Sequence, residues 1–543
     1  MKRLLTLVMA LAMTASLAAC SGGNDSSSSA PASSGAASTP ASSDGAAAPA
    51  DSADYKDTLI LGTASDQDIM DGQNNVTNDK ILRTVYSQLI RRNADSVIEG
   101  DLAESWEVSE DELTWTFHLK KGVKFHNGKE LTAKDVKASY DRLLNADDPQ
   151  RYTATMNYID RCEMVDDYTV QLITKQPSGP MLASLCARAN LILDADYIEK
   201  YGRDIGTKPE TINGTGPYKL VEWNKDEEMV FERFDDYFRG PAATKNLIIQ
   251  IIPEANSRAI ALESGEIDIA DGLNGEDVAR LDGTDGIKVE ARESNGQHLY
   301  QFNCKDPIIA DTRVRQAISY AIDRHVICET LFGDYEGTPC TAPLHPLTFG
   351  YTDLGVIERD VEKAKSLLAE AGYADGFDLT VMTGNYAKST QVCEIMKEQL
   401  AEVGINLILD VVENATFKAN LNGVTPDQFK WGMFNMGAGP GSVDADEGLR
   451  RLYTTPTGET NENNYGWYSN AKVDELLNAA AITTDSEERL KLYAEAQQIL
   501  YIDDPVGIWL NDRKNIYVMS DKVENFSVEV KNIVFFENIS VRK

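Results

Sequence analysis

The sequence predicts an α/β protein whose folded part contains at least two lobes. From about residue 54 onward, segments with the period of two that is typical of strands alternate with segments that carry one apolar face at helical spacing, as in α/β folds. The chain has 543 residues, so this part is longer than a single hydrophobic core usually grows. A second lobe is predicted to begin near Leu299.

The periodic segments give the following elements. Strands are predicted at 58–62, 113–119, 169–173, 247–252, 266–269, 377–382, 405–412, 506–510 and 516–519. Helices are predicted at 81–90, 177–187, 255–263, 312–322, 361–371, 392–403, 473–481 and 487–501. The run at 247–252 is continuously apolar, which is typical of a strand buried on both faces.

The most informative stretch is 102–144. Apolar and polar residues alternate along 113–119, which predicts a strand with one buried face. Asn127-Gly128 predicts a tight turn, because both residues tolerate a positive φ. Thr132 then reads as a helix N-cap with an acidic residue three positions later. A strand, a hairpin and a capped amphipathic helix follow from these signals alone.

Within this stretch, the sequence FHLKKGVKFHNGKELTAKDV resembles the signature of the solute-binding proteins of peptide and nickel ABC importers. The sequences GTGPY at 214–218 and RVRQAISYAIDR at 313–324 resemble the same family, and the resemblance extends from Tyr55 to Lys543. It implies a two-lobed periplasmic-binding-protein-like fold of type II, in the large peptide-binding class, with an extra subdomain in the first lobe.

The resemblance also implies a domain plan. Residues 55–300 would form lobe I with an inserted subdomain at about 95–210, residues 301–503 would form lobe II, and 504–543 would return to lobe I. The chain would then cross between the lobes twice, near Tyr300 and Asp503. Two crossings make a hinge, and closure of a hinge around a ligand is a known mode of switching.

The N-terminus predicts export and a lipid anchor. Residues 1–19 form a signal peptide with Lys2 and Arg3 before an apolar core that is short for a bilayer span. The sequence LAAC at 17–20 resembles a bacterial lipoprotein box, which implies cleavage before Cys20 and lipidation of its sulfur; ordinary secretion is the alternative. Residues 20–54 are rich in Ser, Ala, Gly and Pro and predict a flexible linker. The expected location is the cell membrane, lipid-anchored, on the extracytoplasmic face.

Composition narrows the function. A formal charge of −34 repels phosphate backbones and argues against nucleic-acid binding. Six cysteines follow Cys20 and none forms a CxxC pair, so zinc and redox chemistry have no support. Two alternatives remain for them: disulfides, with Cys162–Cys186 and Cys328–Cys340 as the near pairs, or buried thiols.

No enzyme motif is present, since HExxH, GxSxG and P-loop patterns are all missing. We therefore expect no enzyme, cofactor or metal. The family resemblance implies a monomer that delivers a peptide or similar small solute to ABC permease subunits in the membrane. A ligand sensor on the same scaffold is the alternative, and a secreted hydrolase is a further, weaker one.

The resemblance places candidate ligand contacts in three segments. They are Asp66 and Met70 in the loop after the first strand, Asn385 and Tyr386 after a strand of the second lobe, and Asn435, Met436, Gly437, Ala438 and Gly439. In peptide-binding relatives an aspartate pairs with the peptide amine, but the corresponding position here falls on or near Gly439. Either another acid such as Asp66 or Asp68 substitutes, or the ligand is not a peptide with a free amine.

Overall fold

The computed structural model describes residues 54–543 with the exception of 76–79, 157, 386, 422, 459, 461 and 462. The predicted signal peptide, the lipidation residue Cys20 and the predicted linker up to residue 53 lie outside the described residues, as does Tyr386. Among the described helices, none combines the length and the apolar composition that a membrane span requires.

The first lobe begins with a short run of elements. These are β1 (Thr58–Thr63), α1 (Leu82–Val85), β2 (Ile90–Arg92) and β3 (Ile98–Gly100). The predicted helix over 81–90 is therefore wrong beyond its first turn. The backbone oxygens of this segment are used by other segments: Val85 O accepts from Gly216 N at 2.8 Å, and Leu89 O accepts from Ala103 N at 3.0 Å.

A subdomain with its own core follows. Its elements are β4 (Ala103–Val108), β5 (Thr114–Leu119), α2 (Ala133–Leu144), β6 (Ile159–Asp166), β7 (Thr169–Thr174), α3 (Met181–Leu185) and α4 (Ala195–Tyr201). The four strands form an antiparallel sheet in the order β4-β5-β7-β6. The hairpin and the capped helix predicted from the signature are confirmed, since Gly128 has φ +88° and Asp135 accepts from Thr132 N at 3.0 Å.

The chain then completes the first lobe and enters the second. The elements are β8 (Tyr218–Asn224), β9 (Glu228–Arg233), β10 (Asn246–Ile251), α5 (Ala255–Glu263), β11 (Ile269–Asp271), α6 (Gly275–Leu281) and β12 (Ile287–Phe302). Strand β10 alternates between buried and half-buried residues. The expectation that it is buried on both faces is therefore wrong, because its outer side chains keep partial contact with solvent.

The second lobe contains both helices and strands. The elements are α7 (Thr312–Ala321), α8 (Arg324–Leu331), α9 (Gly333–Glu336), β13 (Gly337–Pro339), α10 (Val361–Glu370), β14 (Phe377–Gly384), α11 (Ala387–Ala401), β15 (Ile405–Val412), α12 (Asn414–Leu421), β16 (Met433–Ala438), α13 (Arg451–Tyr453), α14 (Ala471–Ile482) and α15 (Ser486–Gln498).

The C-terminal segment returns to the first lobe. Its elements are β17 (Gly507–Ser520), β18 (Val523–Glu524), β19 (Val528–Glu529), β20 (Ile533–Val534) and β21 (Ser540–Val541). The sequence predicted two strands at 506–510 and 516–519, but β17 is one continuous strand. Its polar centre is kept in the strand by pairing with β12.

A sheet of eleven strands joins the two lobes in the order β15-β14-β16-β12-β17-β11-β1-β10-β9-β8, with β13 beside β17. Strands β12 and β17 pair antiparallel along most of their length, and the pairing is interrupted between Glu293 and Gln297. Ile508 and Leu510 pack in the core of the second lobe, whereas Tyr517 packs in the first. The strand β17 therefore contributes to both cores, and the predicted crossing near Asp503 stays a prediction.

All six described cysteines are free thiols, and five of them are buried. Burial raises the pKa of Cys162 to about 12 and that of Cys393 to about 11. Of the two alternatives for these residues, the structure shows buried thiols that are protonated at neutral pH.

Candidate functional site

Asp66 lies in the loop after β1 and is already engaged within the first lobe. Its two carboxylate oxygens each accept from Trp223 Nε1 at 3.0 Å. They also accept from Gln67 N at 2.7 Å and from Asp226 N at 3.1 Å. The carboxylate thus ties its loop to the β8–β9 hairpin. The neighbouring Asp68 is exposed and accepts from Asn75 Nδ2 at 2.8 Å.

Met70 lies in the same loop, and its side chain is fully buried in the core of the first lobe. Its backbone N donates to Gly206 O at 2.8 Å, which fixes the loop to the segment before β8. The structure therefore places Met70 as part of the wall that supports the loop, with its side chain turned away from the surface.

Strand β16 carries four of the predicted contacts and presents two different faces. Met436 and Ala438 pack partly against the core of the second lobe. Asn435 lies opposite Tyr300, and Gly437 lies opposite His298 on β12. Gly437 is exposed, and a Cβ built on it would meet no atom within 4 Å. The face that carries Asn435 and Gly437 therefore borders open space.

Gly439 follows β16 and approaches the point where β12 crosses between the lobes. A Cβ at this position would lie 2.8 Å from Asn295 O and 3.2 Å from Gly296 Cα. Asn295 Nδ2 donates to Pro440 O at 2.5 Å and holds the two segments together. A larger residue would have to displace this backbone, so the close approach itself favours glycine here.

The start of α11 lies beside the same face of β16 and β12. Asn385 follows β14 and is exposed, while Tyr386 lies outside the described residues. Tyr300 OH donates to Ser389 O at 3.0 Å in the first turn of α11. Lys388, also in that turn, forms an ion pair with Glu336. Asn385 and the exposed face of β16 thus belong to one region of the second lobe.

Three residues that the sequence did not predict as ligand contacts lie beside this face: His298, Asn511 and Arg513. His298 Nδ1 lies 2.9 Å from Asn511 Oδ1, although the two residues are 213 positions apart in the chain. Burial, and then the positive charge of Arg513, lower the pKa of His298 to about 4, so its ring is neutral at pH 7. The alternation of Asn511, Arg513 and Asn515 was the available sequence signal, since it has the period of a strand.

Two aspartates that follow β16, Asp444 and Asp446, form ion pairs within the protein. Arg489 Nη2 donates to Asp444 Oδ1 at 2.7 Å, and both side chains are buried. Arg450 Nη2 donates to Asp446 Oδ2 at 2.8 Å. Arg489 Nη1 also donates to Gly179 O of the first-lobe subdomain at 3.2 Å. These carboxylates therefore stabilise the second lobe and its contact with the subdomain.

A separate open groove of about 520 Å³ lies on the second lobe, lined by Tyr320, Ile502 and residues 354–363. It contains none of the predicted site residues. Among the described residues, no group of three or more His, Cys, Asp or Glu side chains is arranged to hold a metal ion.

Residues 97–460 match the family model of bacterial extracellular solute-binding proteins, family 5 middle. The chain belongs to this family. The glutathione-binding protein GsiB of Salmonella choleraesuis (strain SC-B67) is 31% identical over 435 residues, which cover 80% of this chain and 84% of that protein.

Solved structures agree with this assignment. The periplasmic binding protein DppA from Helicobacter pylori, in complex with the peptide STSA, has a TM-score of 0.76 and 26% identity, and the match covers 90% of this chain and 99% of that chain. The binding protein AgaA from A. tumefaciens R10, in complex with agropinic acid, has a TM-score of 0.74 and 27% identity, again with 90% and 99% covered. The two-lobed fold of type II is thereby confirmed.

Membership of this family fixes the broad function. The protein is an extracytoplasmic solute-binding protein of the ABC importer type. The family consists of transport components that bind small peptides or other solutes and work with ABC permeases, and it is not a family of enzymes.

Proposed function

We propose that this protein is a monomeric, lipid-anchored receptor that closes on a small peptide-like solute and delivers it to a membrane permease without chemical turnover. The pair of long strands, β12 and β17, carries the proposal. Both run through the sheet of each lobe, and their pairing is interrupted at Glu293–Gln297 and again at His298–Leu299. Interruptions of this kind bend and twist strands locally, which suits a hinge.

The proposed contact surface is the exposed face of the second lobe that faces this crossing. Asn385, Tyr386, Asn435 and Gly437 would contact the solute, and the backbone of Gly439 would border it. Met436 and Ala438 would support the strand from its core side, and Asp66 and Met70 would hold the opposing loop of the first lobe in place. The polar face and the open space over Gly437 support this division of roles.

The ligand class follows from relatives and from the site together. GsiB is named for glutathione, and the H. pylori protein was solved with a peptide, so a peptide-like solute is the proposed ligand. A peptide ammonium would need a partner carboxylate. Position 439 offers none, and Asp66 already accepts from three N–H donors, one of which is shared between its two oxygens. We therefore propose that neither position 439 nor Asp66 supplies a carboxylate to an ammonium group of the ligand.

The lipid anchor rests on the sequence LAAC at 17–20. Two or more acyl chains on Cys20 would hold the protein on the membrane, whereas a single chain binds only marginally. Substitution Cys20→Ala should release the protein from the membrane fraction, while wild-type protein should stay there and carry the mass of a diacylglyceryl group. Equal membrane retention of both proteins would contradict the anchor.

Native mass spectrometry of protein purified without refolding tests the function directly. We expect small solutes to be released on denaturation. Added back to refolded protein at 100 times the Kd, they should stabilise it by about 2.7 kcal/mol. X-ray scattering should show a smaller radius of gyration with solute than without. Chemical conversion of the solute would favour a hydrolase, and unchanged uptake in a deletion strain would favour a sensor.

A further inference from the structure

Arg513 occupies an unusual position on β17. It lies in the part of the strand where the chain changes lobes, and its side chain is exposed. The stem of Arg513 passes close to the β12 crossing, since a Cβ built on Gly296 would lie 3.5 Å from Arg513 Cδ. The guanidinium thus projects from the hinge region on the face that also carries His298 and Asn511.

The guanidinium of Arg513 differs from other desolvated cations of the described structure in its hydrogen bonding. Desolvation lowers the pKa of five cations: Lys120, Lys225, Arg258, Arg324 and Arg513. The first four donate to backbone carbonyl oxygens. Among the described residues the Arg513 guanidinium forms no hydrogen bond and no ion pair; the nearby negative charge of Glu336, which acts to raise its pKa, is already paired with Lys388. Because Arg513 is exposed, water can hydrate this guanidinium, and it stays available to pair with an acidic group of a ligand.

A second donor on the same face has the same deficiency. Asn515, two residues further along β17, has a solvent-shielded Nδ2 that meets no acceptor among the described residues. Successive odd positions of a strand point to one side, so the free donors of Arg513 and Asn515 share a face. Both would be satisfied by an acceptor that the chain itself does not supply.

The neighbouring charges leave this face positive. Lys388 is paired with Glu336, and His298 is neutral at pH 7 because burial and Arg513 lower its pKa to about 4. Glu336 attracts Arg513 as well as Lys388, so the three side chains together carry a net charge of about +1, in a chain whose formal net charge is −34. Open space above Gly437, directly across from His298, leaves room for a ligand group beside it.

We propose that Arg513 binds a carboxylate of the transported solute at this face, between Gly437 and the crossing of β17. A planar guanidinium matches a carboxylate with two parallel hydrogen bonds, which gives orientation as well as affinity. The inference rests on the proposed function and names the chemical group by which the solute is selected. Recognition of the acid end would then replace recognition of the amine, for which position 439 offers no carboxylate.

The test compares acids with their amides on the full-length protein in detergent. The probes are glutathione and a mixed tripeptide set, each as the free acid and as the carboxyamide, with binding measured by calorimetry. We expect wild type to bind the acids at least 10-fold more tightly than the amides. Arg513→Gln should weaken acid binding about 10- to 100-fold and leave amide binding unchanged. Arg513→Lys should retain part of the preference, since it keeps the charge but loses the fork.

Arg161→Gln is the matched control, because it removes an exposed arginine from β6 that is paired with Asp160 and Glu163. It should bind the acids as wild type does. Equal binding of acids by wild type and Arg513→Gln, with both proteins folded by circular dichroism, would overturn the carboxylate site and leave the proposed function standing. If wild type bound no probe in either form, the peptide-like ligand class would fail and the carboxylate inference with it.

Discussion

Two arginines in the second half of the chain show how differently the same charge can be used. Arg324 is 1% exposed, and its guanidinium donates to Trp509 O at 2.8 Å, to Ile357 O at 3.0 Å and to Ser319 O at 3.1 Å. Arg513 is exposed and has no such acceptor in the described structure. In both, desolvation lowers the pKa. A charge satisfied inside the protein holds elements together, whereas an unsatisfied charge at an opening is available to a ligand.

Replacing Arg324 should give the largest effect on stability. Arg324→Met keeps most of the volume but leaves several buried carbonyl oxygens without donors, so we expect a loss of about 3–5 kcal/mol in the free energy of unfolding. Urea unfolding followed by circular dichroism measures this. Arg313→Met is the matched control in the same lobe, because Arg313 is exposed and should cost less than about 1 kcal/mol. A similar small loss for both variants would mean that the Arg324 guanidinium, like that of Arg513, does not hold the fold together.

Asp512, next to Arg513, extends the comparison to a buried acid. It accepts from Gln297 Nε2 at 2.6 Å, and burial is the main cause that raises its pKa from 3.8 to about 6. Between these two values the folded protein keeps a proton that the unfolded chain has released. Stability from this group is therefore lost as pH rises through the window, and the buried charge costs about 2–3 kcal/mol above it.

Asp512→Asn removes this cost, since the amide cannot ionise. Relative to wild type, the variant should gain about 2–3 kcal/mol in unfolding free energy between pH 4 and pH 7.5. Urea unfolding at the two pH values gives the difference, and other titrating groups cancel between the two proteins. Asp521→Asn, at an exposed position after β17, should show no such difference. If Asp512→Asn also showed no difference between the two pH values, the carboxyl of Asp512 in the wild-type protein would have to be well solvated.

Local sequence signals correctly predicted the strand, the turn and the capped helix in the subdomain of the first lobe. The alternation in 113–119, the turn at Asn127-Gly128 and the cap at Thr132 each act over a few residues, and each has its expected structure. The predicted helix at 81–90 failed for the opposite reason. Its apolar residues are buried as expected, but the backbone groups of Val85 and Leu89 bond to distant segments, which no local pattern reveals.

The candidate site was only half predictable for the same physical reason. The family pattern predicts Asn435 and Gly437 as ligand contacts, and these stay predictions. The polar run 511–515 lies between the two strands that the sequence predicts at 506–510 and 516–519. In the structure β17 continues through it, since this part lies between the lobes and β12 supplies its hydrogen bonds. Joining His298 to Asn511 and Arg513 required the pairing of two strands far apart in sequence.

Asp66 in the first lobe resembles Arg324 in that its charged group is hydrogen-bonded within the protein. Asp66→Ala should leave Trp223 Nε1 and Asp226 N without their acceptor, and we expect a loss of about 1–2 kcal/mol in unfolding free energy. Asp68→Ala, at an exposed neighbour, should cost less. Thermal unfolding and solute binding are to be measured on both variants. A large loss of solute affinity with unchanged stability in Asp66→Ala would instead make Asp66 the partner of a ligand amine.

Arg513→Gln should have the smallest effect on the solute-free protein, and this makes it the sharpest test of the comparison. With no acceptor lost inside the chain, we expect the free energy of unfolding to change by less than about 0.5 kcal/mol. Urea unfolding after removal of bound solute measures it beside Arg324→Met. A loss above about 1.5 kcal/mol would show that Arg513 is bonded within the protein and serves the fold. A stable variant that has lost its preference for acids would show that this charge is held at the hinge for the ligand.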